Sequence, residues 1–107
     1  MTSEDPKALK DGLLLFEKDF QLDTSYLQLE EQADYTYEQA YAKVFRVVSS
    51  LLDTDFQRLV TILYRIDVSE QRLKEALAAG AEAPSEVITK MIIERELQKV
   101  ATRKKYR

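Results

Sequence analysis

An all-α fold, a small bundle of four to five helices without a sheet, is what the sequence predicts, on three observations. Apolar residues recur at helical spacing along most of the chain. Only two glycines and two prolines occur in 107 residues, and both prolines stand where helices can start. Several hydroxyl or carboxylate residues are followed three positions later by Gln or Glu, the pattern of a capping box. The Gly- and Pro-rich turns of an all-β chain are missing. The length suits one domain, 1–107, with 1–5 and 105–107 expected to fray. An apolar share of 45% against 33% charged places the chain among globular rather than disordered sequences.

Pro6 suits a first helical turn, and Leu9, Leu13, Phe16 and Phe20 then share one face, which predicts a helix over 6–20. Gly12 weakens it by about 1 kcal/mol relative to Ala. Residues 21–34 read as a short helix or ordered loop, with Ser25-x-x-Gln28 as a possible capping box. Thr36-Tyr37-Glu38-Gln39 caps a second helix over 37–52, whose Tyr37, Ala40, Tyr41, Val44, Phe45, Val47, Val48, Leu51 and Leu52 fall on one side. An unbroken helix would then aim Asp55 into the apolar stripe, where a carboxylate is costly. A break is expected there, with Thr54-x-x-Gln57 as the new cap.

The next helix, 55–66, carries Phe56, Leu59, Val60, Ile62, Leu63, Tyr64 and Ile66 on one broad side. That side is wider than one neighbour covers, so this is expected to be the central helix of the bundle. Asp67 falls in mid-stripe, and Asp67-x-x-Glu70 offers a cap for a helix over 69–79 that buries Leu73, Ala76 and Leu77 and ends at Gly80. The last helix, 84–104, changes face part-way. Val87, Ile88, Met91 and Ile92 cover one side, and Ile93, Leu97, Val100 and Ala101 nearly the other. The second set is expected to meet either the first helix or, preferentially, a second copy of the chain in a homodimer.

The chemistry of common active sites has no residues to rest on. Without Cys there is no disulfide framework or thiolate metal site, and without His no usual zinc ligand or general base near pH 7. The carboxylate pairs Glu30/Glu31 and Glu94/Glu96 stand one or two residues apart and do not share a helix face. The isolated glycines form no phosphate-cradling loop. No enzyme, cofactor, metal or small-molecule substrate is expected. Neither a signal peptide nor an apolar run of the ~20 residues that span a bilayer is evident, so the expected location is cytoplasmic, with no membrane partner.

Charge is divided unevenly. Residues 1–53 hold 5 Lys and Arg against 11 Asp and Glu, and residues 54–107 hold 11 against 8. Lys99, Arg103, Lys104, Lys105 and Arg107 form a basic C-terminal patch, readable as helix-dipole compensation or as a weak nucleic-acid contact. A helix-turn-helix outline over 55–79 is the other feature for nucleic acid, although Glu70 and Glu75 would repel phosphates. Tyr26, Tyr35, Tyr37 and Tyr41 make a candidate tyrosine surface or, more simply, the edge of the core.

Leu63-Tyr64-Arg65-Ile66-Asp67-Val68-Ser69-Glu70 and the run Ile92 to Arg103 resemble a family of small bacterial helical proteins with no assigned activity. The resemblance covers the C-terminal half. It implies a bacterial, cytosolic origin and a helical fold, and it carries over no catalytic residue, cofactor or substrate. The function expected from the residues is a non-catalytic protein–protein interaction or adaptor domain, with the chain itself as the first partner. A nucleic-acid-associated protein is the alternative.

Overall fold

Five helices make up a computed structural model that describes residues 6–19 and 35–105. They are α1 (Pro6–Asp19), α2 (Tyr37–Thr54), α3 (Phe56–Arg65), α4 (Glu70–Ala79) and α5 (Pro84–Lys105). No strand occurs among the described residues. The candidate box at Ser25 lies outside them.

Local signals explain most boundaries. At the start of α2 the Thr36 hydroxyl accepts from the Gln39 N–H at 3.1 Å, and the Gln39 side chain accepts from the Thr36 N–H at 2.9 Å. The predicted capping box is therefore formed. The break between α2 and α3 falls one residue later than expected. Thr54 stays helical and donates its hydroxyl to the Ser50 carbonyl at 2.7 Å. Asp55 leaves the helix at φ −155° and takes the cap role, accepting from the Arg58 N–H at 3.1 Å. A carboxylate answers the positive end of a helix better than a hydroxyl does.

The cap of α4 also differs from expectation. Asp67 sits in the turn at φ 65°, a left-handed conformation that Asp tolerates better than most residues. Ser69 caps the helix by accepting from the Arg72 N–H at 3.2 Å. Gly80 ends α4 at φ 68°, as predicted.

The helix at the centre of the packing is α5 rather than α3. It lies against α1, α2 and α4, whereas α3 packs on α2. This accounts for the two-faced pattern of α5. Val87, Ile88, Ile92, Ile93 and Val100 are all buried, because neighbours stand on more than one side of the helix. The core joins Leu9, Leu13 and Phe16 of α1, Ala40, Val44, Val47 and Val48 of α2, Leu59, Ile62 and Leu63 of α3, and Ile88, Ile92 and Ile93 of α5. Arg95 of α5 fixes the turn after α3, donating to the Ile66 carbonyl at 3.1 Å with Asp67 at 3.7 Å.

Helix α4 is the most loosely held. It buries no residue; Leu73 and Ala76 are half-buried, and Leu77, expected inside, is exposed. Arg72 ties it to α5 through Glu94 at 2.9 Å.

Candidate interaction surface

Helix α3 presents two apolar faces. Leu59, Ile62 and Leu63, followed by Ile66 in the turn, recur at i, i+3, i+4 and i+7 and are buried. Phe56, Val60 and Tyr64 recur at i, i+4 and i+8 and point about 110° away from that set. They are 57%, 41% and 86% exposed. All seven were expected inside. The apolar arc is wider than the α2 side of the helix covers, so its outer edge emerges on the surface. Gln57 and Thr61 flank this stripe, and Arg58 and Arg65 lie further round. The ten residues of α3 include no acid.

The face first expected to meet a second copy has a different neighbour. Ile93 and Val100 are buried and Leu97 is half-buried within one chain, because α1 packs along α5. Gly12 of α1 faces this stretch: a Cβ there would stand 3.6 Å from Leu97 Cδ2, an ordinary contact distance. Only Ala101 of that set is exposed. The open apolar stripe is on α3 instead.

The tyrosines do not form one surface. Tyr26 lies outside the described residues, and Tyr35 is buried in the core. Tyr37, Tyr41 and Phe45 run along α2 as a half-buried ladder, with ring centroids 6.2 Å and 5.7 Å apart in turn. The Tyr41 phenol faces the start of α5; burial and then Glu86 raise its pKa, and Lys90, paired to Glu82, opposes them. This ladder is a core edge.

The basic patch is thinner than its sequence implies. Lys99 turns inward and pairs with Asp19 at 2.8 Å and with Glu96 at 3.4 Å. Arg103 is exposed, Lys104 and Lys105 end α5, and Arg107 lies outside the described residues. In the 55–79 segment, Arg72 is engaged by Glu94 and Lys74 by Glu70 at 3.1 Å. A cleft of about 270 Å³ beside the α4 N-terminus contains Asp67, Ser69, Arg72, Glu94, Arg95 and Gln98, but its two arginines are matched by its two carboxylates.

Glu96 was missed as a singular residue. It is 2% exposed between α1 and α5, beside Leu9, Leu13, Phe16 and Ile92. Its Oε1 lies 3.4 Å from Lys99 Nζ without forming a well-aimed hydrogen bond, and its Oε2 has no hydrogen-bond donor. Burial pushes the carboxyl up to about 8; the Asp19 carboxylate adds to the rise and Lys99 opposes it. A signal was available: Glu96 follows Ile92 and Ile93 by four and three residues and precedes Val100 by four, so it stands within an apolar stripe.

No family model, curated protein or solved structure matches the chain. Among the described residues no helix is long and apolar enough to cross a membrane. Among the described residues, the fold and surface define an all-α bundle whose α3 leaves an apolar face open.

Proposed function

We propose that this chain is a non-catalytic protein–protein interaction domain of the cytoplasm, with α3 as its contact face. The observation that carries the reading is the Phe56–Val60–Tyr64 stripe. Two aromatic side chains and a valine stand in water while the same helix buries three other apolar residues. Aromatic residues at helical spacing supply contact area at low entropic cost, and they are the residue types enriched in interface anchors. The buried set on α3 holds the stripe rigid, so little ordering is needed on association.

A photo-crosslinking amino acid placed in cells at position 60 or 64, and at the exposed Arg46 on α2 as a control, tests this reading. Adducts of defined mass are expected from 60 and 64, lost on Phe56→Glu, and absent from 46. No defined adduct from α3, or the same adducts from all three positions, would refute it.

A further inference from the structure

We infer that the occupant of the α3 stripe is the same stripe on a second copy of the chain, the two helices lying antiparallel about a two-fold axis through Val60. This rests on the reading of α3 as the contact face and adds the identity of the partner. The spacing is symmetric: Phe56 precedes Val60 by four residues and Tyr64 follows it by four. A two-fold axis at Val60 therefore sets Phe56 of each copy opposite Tyr64 of the other and Val60 against itself, in an isologous contact. Two aromatic pairs flank a small central residue, which lets the helices approach.

Charge agrees with this arrangement. The residues beside the stripe, Gln57 and Thr61, are uncharged, so the two-fold axis brings no like charges together at its centre. At the ends, the exposed Asp53 and Asp55 precede one α3, and Arg65, which donates to the Asp19 carbonyl of its own chain at 3.5 Å, ends the other. Asp67 stands at that same end, but Arg95 of its own chain is 3.7 Å away. Antiparallel packing also opposes the two helix dipoles.

Area sets the strength. Taking roughly 200 Å² for a whole Phe or Tyr side chain and somewhat less for Val, the exposed fractions amount to about 350 Å² per copy. A stable interface buries about 800 Å² per partner. The pairing is therefore a weak, reversible one at high micromolar concentration, not a permanent dimer.

The chain has no cysteine, so single introduced cysteines report contacts cleanly. Under mild oxidation Val60→Cys links to itself about tenfold faster than Arg58→Cys on the far side of the helix. Phe56→Cys and Tyr64→Cys each link poorly alone and efficiently when mixed. Sedimentation equilibrium shows self-association weakened about tenfold or more by Val60→Glu, with the helical circular dichroism unchanged because Val60 is not in the core. A wild-type monomer throughout the high micromolar range overturns the pairing. So does unchanged association of Val60→Glu, or no linkage in the 56/64 mixture. If position 60 instead crosslinks in cells to a protein of different mass while the purified chain stays monomeric, the pairing fails and the contact-face reading stands. If neither occurs, both fail.

Discussion

Glu96→Gln is expected to stabilise the protein, and by an amount that grows with pH. In the unfolded chain Glu96 titrates near 4.5, and in the folded chain near 8, because ionising it in place strands a charge between α1 and α5. Between these values the native state holds a proton that the unfolded state has released, so stability falls as pH rises through this window. Each pH unit costs about 1.4 kcal/mol. The loss is absent below about pH 4.5 and complete above about 8. Its full extent is about 3–5 kcal/mol, a large part of a small domain's stability. Gln keeps the shape and has no proton to lose. Urea melts of both proteins at a series of pH values, analysed as two-state transitions, measure the effect. The advantage of Glu96→Gln should be near zero at pH 4.5 and should rise by about 1.4 kcal/mol per unit to pH 8 before levelling. A difference independent of pH would mean that the folded carboxyl is ionised throughout. A difference that shrinks as pH rises would reverse the assignment and point to a net favourable pair with Lys99.

Neighbouring positions on α3 should differ sharply. Leu59→Ala, in the core, is expected to cost about 2–5 kcal/mol, and Val60→Ala, on the open stripe, under about 0.5–1 kcal/mol in a dilute denaturant melt. At the α2–α3 break, Asp55→Ala should cost about 0.5–2 kcal/mol as a lost N-cap, and Thr54→Ala under about 0.5 kcal/mol; equal costs would return the cap to Thr54. Gly12→Ala should raise the melting midpoint, adding up to about 1 kcal/mol of helix propensity, since the new methyl would meet Leu97 Cδ2 and Glu96 Cβ at ordinary contact distances of 3.6 and 3.8 Å. A loss instead would show that α1 and α5 pack more tightly than this spacing implies.

The helices were legible because each carries its own local instruction. Thr36 and Gln39 form their box, Pro6 and Pro84 open α1 and α5, and Gly80 closes α4 in the left-handed conformation only a flexible residue adopts easily. Which face each helix buries was less legible. Periodicity gives the direction in which Phe56, Val60 and Tyr64 point, but not whether a neighbour stands there, since that depends on contacts between residues far apart in sequence. The same limit hid the role of α5. Its two apolar faces announced two neighbours, and nothing local could say that α1 was one of them. Glu96 escaped because it was judged against Glu94, its sequence neighbour, and not against the isoleucines one turn away, whose company makes its charge expensive. The cost of a carboxylate in an apolar stripe, which falls at Asp55 and Asp67 on helix ends, falls at Glu96 on a helix that continues, and a raised pKa is the result.

The packing of α1 on α5 has a consequence for the order of events during synthesis. Asp19 and Lys99 pair across 80 residues of chain, which a ribosome takes about 4–16 s to add. Through that interval Leu9, Leu13 and Phe16 have no α5 to cover them, while α2 and α3, adjacent in sequence, can already pair. The first of the described helices is thus among the last to be secured. A chain stalled before α5 presents an apolar α1 to whatever binds nascent polypeptides, and release of that binding should follow the appearance of Ile92 to Val100 rather than of any earlier segment.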